Sequence, residues 1–142
     1  MLGRLDLPFS TEDLVRLYRF ALLLTGDERT AQQVLFEACV DCAARLGSVR
    51  SHESRMACML GAVRQKAKSV PAGGARGIAK AFARLPEEER VALAGLYTGL
   101  LPARELSEAL KMTLWQLGRS LKNARERLHL SDLELENLEQ AL

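Results

Sequence analysis

Only three cysteines occur in the 142 residues, Cys39, Cys42 and Cys58. An odd number this small cannot frame a chain of this length with disulfides, and reduced thiols in a reducing compartment fit better. Histidine is scarcer still, with His52 and His129 alone. There is no Gly-x-Ser-x-Gly, no His-Glu-x-x-His and no Gly-Lys-Ser/Thr, so the usual hydrolase, zinc-protease and nucleotide signatures are missing. The expectation is a protein that is not an enzyme, with no cofactor, no bound metal and no small-molecule substrate. No stretch approaches the roughly 18 consecutive apolar residues of a membrane span. Met1 to Asp6 also lacks the basic-then-apolar order of a secretory signal. A cytoplasmic protein with no membrane partner is expected.

What is present is a foldable composition: 48% hydrophobic, 27% charged, net charge +2. That is one domain's worth of residues, or two very small ones. The pattern is helical throughout. Ser10-Thr11-Glu12-Asp13 supplies a hydroxyl cap with acids behind it, and Leu14, Leu17, Tyr18, Ala21 and Leu22 recur at helical spacing, predicting a helix over 11–24. After Thr25-Gly26, Asp27 caps a second helix with an apolar stripe of Ala31, Val34, Leu35, Ala38, Cys42 and Leu46. Ser51 opens a third, with Met56, Met59, Leu60 and Val63 on its stripe towards Lys68. Pro71 to Gly77 is Gly-rich without the lysine and hydroxyl of a phosphate loop, and reads as a linker.

Beyond the linker a short helix over 78–84 precedes Pro86, placed at a first helical position with Glu87, Glu88 and Glu89 behind it. That helix ends at Gly99. Pro102 opens a short helix to Leu110, and after a three-residue turn Thr113-x-x-Gln116 makes a capping box for a longer helix to Leu128. Short helix, tight turn and longer helix form a helix-turn-helix. Ser131 to Glu134 caps a last helix. The expected architecture is all-α: two small helical bundles, 1–69 and 78–130, joined by a short Gly-rich linker at 70–77 and followed by an acidic helix over 131–142.

Charge is distributed in blocks. From Arg45 to Arg84 nine basic residues face the single acid Glu53, a balance of +8 that suits a phosphate backbone. Lys111 to Leu128 carries +4, whereas 129–142 holds Asp132, Glu134, Glu136 and Glu139 with no Lys or Arg. Charge order therefore suggests that the acidic end folds back on the basic helix and competes with DNA. Taken singly, each block also reads as a solvated helix face.

These residues carry a family resemblance. Ala81 to Arg90 (Ala-Phe-Ala-Arg-Leu-Pro-Glu-Glu-Glu-Arg), Tyr97, Gly99, Leu106-Ser107-Glu108-Ala109-Leu110, Leu121 and Ala124-Arg125-Glu126-Arg127-Leu128 resemble region 4 of sigma-70 family transcription factors of the extracytoplasmic-function type. Leu17-Tyr18-Arg19 and Leu24-Thr25-Gly26-Asp27, with Ala31, Val34, Glu37 and Ala38, are similar to region 2 of the same family. The resemblance implies core RNA polymerase and promoter DNA as partners, with an anti-sigma factor as a further one. It implies Thr113, Trp115, Gln116 and Arg119 in the major groove and Ser120, Lys122, Asn123 and Arg125 beside it or on phosphates. It implies Gln33, Val34 and Glu37 on polymerase.

The chain departs from that family at several places. Trp115 stands where a small residue is usual, Gly118 and Ser120 where Lys and Arg are usual, and Gln32 to Phe36, followed by Glu37, where a helix rich in Asp, Glu and Gln is usual. A sigma-like module that binds an anti-sigma or other regulator without reading DNA is the alternative. Bland readings stand beside these: Trp115 as a packing residue with Leu114, Leu117 and Leu121, and the three cysteines as small buried side chains rather than zinc ligands with His52.

Overall fold

Side-chain caps set the starts of four helices in the computed structural model, which describes residues 9–48, 51–70 and 77–129. Helix α1 (Thr11–Thr25) begins at a reciprocal capping box in which Ser10 Oγ accepts from Asp13 N–H and Asp13 accepts from Ser10 N–H. It ends at Gly26, whose φ of 80° is open to a residue without Cβ. Asp27 caps α2 (Glu28–Leu46) through Thr30 N–H, and Ser51 caps α3 (His52–Lys68) through Ser54 N–H. Helices α4 (Gly77–Phe82), α5 (Glu87–Tyr97), α6 (Ala103–Ala109) and α7 (Leu114–Leu128) follow. The described residues contain no strand.

Several boundaries differ from expectation. Pro86 and Pro102 are the capping residues themselves, with extended ψ of 151° and 158°, so each helix begins one residue later than expected. The short helix stops at Phe82, two residues before Arg84. Of the linker read at 70–77, residues 71–76 lie outside the described residues and Gly77 already opens α4. The acidic helix read at 131–142 also lies outside them.

The apolar stripes of all these helices meet in one continuous core. Leu17, Phe20 and Leu23 of α1, Val34 and Cys42 of α2, Met59 and Val63 of α3, Phe82 of α4, Leu93 of α5, Leu106 of α6 and Leu117 of α7 are all 0–2% exposed. Helix α1 packs on α2, α3, α4 and α5, and α3 packs on α6. The Phe82 and Tyr97 rings meet edge to face, 6.2 Å between centroids. Helices α5 and α6 approach so closely that a Cβ on Gly95 would lie 2.7 Å from Leu106 Cδ1.

Polar links reinforce the junction. Arg90 Nε donates to the Leu23 carbonyl at the end of α1 (2.7 Å). Arg64 on α3 forks onto both Glu87 oxygens (3.0 and 2.8 Å) and donates its third hydrogen bond to the Leu110 carbonyl (3.0 Å). One guanidinium thereby ties α3 to the start of α5 and the end of α6.

Candidate nucleic-acid interface

The turn from α6 to α7 is four residues long, Leu110 to Thr113, and is held by its own backbone. Lys111 takes a left-handed φ of 57°, its N–H reaching Glu108 O, and Met112 N–H donates to Ser107 O. Thr113 then caps α7: its hydroxyl accepts from Gln116 N–H (3.0 Å) and its N–H donates to Gln116 Oε1 (2.9 Å), the capping box read from the sequence. The first turn of α7 is therefore capped, and its residues 113–116 are exposed.

Side chains on α7 divide by helical period. Leu117, Ser120 and Ala124 face the core, while Thr113, Trp115, Gln116, Arg119 and Lys122 are exposed and Asn123 and Arg125 are half-buried. Trp115 is 69% exposed and Leu114 55%, which corrects the packing reading of Trp115. Its indole lies instead under the Arg119 guanidinium, 5.4 Å from ring centre to carbon, a cation–π stack on the helix surface. Ser120 is a correction as well: at 9% exposure it lies largely on the packed side, three residues from Leu117 and four from Ala124, and not among the exposed residues of the helix. Gln116 is exposed, but its carboxamide oxygen is engaged in the cap. A bidentate contact to adenine from this residue requires the cap to open.

Trp115, Gln116, Arg119, Ser120 and Asn123 line one side of a cleft of about 1220 Å³. The opposite wall is α3, with Cys58, Gln65, Lys66 and Lys68, together with Arg45 from the end of α2. Six cations and four carboxylates line the cleft, so its field is mildly positive. Part of the basic middle block is engaged internally: Arg64 with Glu87, and Lys66 with Asp41 at 2.7 Å. The Asp41 carboxylate holds the Lys66 ammonium above its usual pKa of 10.5, chiefly through that hydrogen bond. Arg127, at the far end of α7, pairs with the buried Glu89 at 2.8 Å. Lys122 and Arg125 do not line the cleft.

On α2 the expected polymerase residues separate. Gln33 is exposed and donates to Glu37 Oε1 (3.3 Å), and Glu37 is half-buried on the same face. Val34 is 0% exposed, so it is a core residue and not a partner contact. Two apolar neighbours share that face, Phe36 at 41% and Val40 at 51% exposure; the sequence named Phe36 only as a departure from the family and did not single out Val40 as a surface residue. Their four-residue spacing, off the Ala31-Val34-Leu35-Ala38 stripe, is the signal that would have found them.

His52, considered with the cysteines as a metal ligand, has Nε2 3.2 Å from Asp13 Oδ2. Among the described residues no group of three or more His, Cys, Asp or Glu converges as a metal site, and no helix is long and apolar enough to cross a membrane. No protein-family model, no curated protein and no solved structure matches this chain.

Proposed function

We propose that the chain is a sigma-70-type transcription initiation factor that engages promoter DNA through α7 and core RNA polymerase through the exposed face of α2. One observation carries the DNA half: a capped helix-turn-helix whose second helix exposes Thr113, Trp115, Gln116, Arg119 and Lys122 from its first turns onward. In a recognition helix the N-terminal residues enter the major groove while flanking cations meet phosphates. Arg119 supplies the fork for a guanine edge or a phosphate, Lys122 a phosphate contact, and Trp115 an apolar surface for a thymine methyl. Lys68 and Arg45 across the cleft extend the cationic surface beyond α7. For the polymerase half, Gln33 and Glu37 offer polar contacts around the apolar pair Phe36 and Val40.

The apolar exposure favours a second reading. Leu114, Trp115, Phe36 and Val40 are large hydrophobic side chains on the surface, a composition suited to a protein partner such as an anti-sigma factor. Capture of the tagged chain from its own organism's lysate, with a salt series on the elution, separates the two. Large polymerase subunits are expected to be recovered, and a small regulator without polymerase would overturn the first reading. For the DNA half, Arg119→Ala is expected to weaken duplex binding and reduce the salt slope by about 1. Unchanged affinity and slope would remove α7 from DNA contact.

A further inference from the structure

Beside the cleft lie two thiols that neither reading uses, one lining it and one buried behind it. Cys42 on α2 and Cys58 on α3 have their sulfurs 3.3 Å apart, and the Cys42 thiol also lies 3.6 Å from the Cys58 carbonyl. Their surroundings differ. Cys42 is 0% exposed, whereas Cys58 is half-buried and lines the cleft. Cys39, one helical turn before Cys42, is fully buried.

We infer that Cys42 and Cys58 form a reversible intrachain disulfide on exposure to hydroperoxides, with Cys58 as the thiol oxidised first and Cys42 as the thiol that resolves it. Access fixes the order, since an oxidant entering the cleft meets Cys58. Burial, with Cys58 beside it, also pushes the Cys42 thiol up to about 12, so it stays protonated and inert until its neighbour is oxidised. In the first step the Cys58 thiolate attacks the peroxide. A sulfur–oxygen bond forms, the oxygen–oxygen bond breaks, and the alcohol or water leaves with a proton, giving a sulfenic acid. In the second the Cys42 sulfur attacks Cys58 and loses its proton. The sulfur–sulfur bond forms, the sulfur–oxygen bond breaks, and water leaves. Two thiols and one hydroperoxide become one disulfide, one alcohol (or water) and one water, the two electrons passing from sulfur to the peroxide.

The product staples α2 to α3 beneath the cleft. It closes a loop of 16 positions, which by loop-closure entropy raises the melting temperature by roughly 10 °C, reversed by thiol reductant.

The test treats the full-length reduced chain with hydrogen peroxide, alkylates the remaining thiols and maps the tryptic peptides. Cleavage at Arg29, Arg45, Arg55 and Arg64 puts Cys39 and Cys42 on one peptide and Cys58 on another, and fragmentation of the linked pair tells Cys39 from Cys42. The expected result is a Cys42–Cys58 bond within one chain, Cys39 alkylated, and the higher melting temperature. A bond to Cys39, a bond between chains, or Cys58 oxygenated with Cys42 still free overturns the assignment, as does survival of all three thiols. In Cys42→Ser, Cys58 is expected to stop at a sulfenic acid that a dimedone probe traps. If that variant does not fold, the mapping of the unaltered chain still decides.

Discussion

Arg64→Met removes the three donors that join α3 to α5 and α6 while keeping the apolar stem of the side chain. Arg64 is only 17% exposed, and its hydrogen bond to the Leu110 carbonyl, charge-assisted and half-buried, contributes on the order of 1.5 kcal/mol. The fork onto Glu87 is worth less, about 1 kcal/mol, because that carboxylate is 43% exposed and water screens the pair. The loss is therefore about 2.5 kcal/mol. Unfolding entropy of about 2.1 cal/mol/K per residue over 142 residues gives roughly 0.3 kcal/mol/K, so the melting temperature is expected to fall by about 8 °C. Urea unfolding monitored by far-ultraviolet circular dichroism measures the loss. Glu87→Gln gives the second edge of a double-mutant cycle, with about 1 kcal/mol expected.

Acidity offers an independent check on the same clasp. Burial by itself would raise the Glu87 carboxyl, but the hydrogen bonds and charge of Arg64 outweigh it and hold the group below its usual 4.5. A depressed carboxyl contributes stability that is complete above its unfolded value and is lost as pH falls through its folded value. The gap between wild type and Arg64→Met is thus full at neutral pH and narrows below about pH 4.5. A variant within about 0.5 kcal/mol of wild type at neutral pH, the range of an unremarkable surface change, would refute the claim that this guanidinium joins the helices.

Two glycine replacements are expected to move stability in opposite directions. Gly118 lies inside α7 with nothing within 4 Å of an added Cβ, so Gly118→Ala stabilises by about 1 kcal/mol in thermal unfolding. Gly95→Ala meets Leu106 Cδ1 at 2.7 Å in a side chain that is 0% exposed, and loses about 1–3 kcal/mol. Asp13→Ala removes both the capping box of α1 and the contact to His52, costing about 1 kcal/mol at neutral pH. Burial raises the Asp13 carboxyl, yet His52 and Ser10 more than offset it and hold the group below 3.8, so this loss should disappear as acid titration falls through that range.

Helix starts were legible in the sequence because a cap is a contact between residues three positions apart. Ser10 with Asp13, Asp27 with Thr30, Ser51 with Ser54 and Thr113 with Gln116 all form as read. Core membership was legible for the same local reason, and it extends to two residues first assigned to partners. Val34 belongs to the stripe with Ala31 and Leu35, and Ser120 lies at helical spacing from Leu117 and Ala124. The periodicity of each helix already pointed inward, and there the fold follows periodicity rather than the family resemblance.

Tertiary structure alone decided how these helices meet. Arg64 finds Glu87 23 positions away and Leu110 46 away, a pairing that no local pattern encodes. The same packing turns Lys66 onto Asp41, sets Cys42 against Cys58, and forms a cleft from α3 and α7. It also leaves Trp115 on the surface, although its neighbours suggested burial. Sequence by itself determined the helices, their caps and the direction of their apolar faces, because those depend on contacts within one or two turns. Which charges neutralise one another and which side chains share a cleft depend on the path of the chain between helices, and only the folded arrangement sets that.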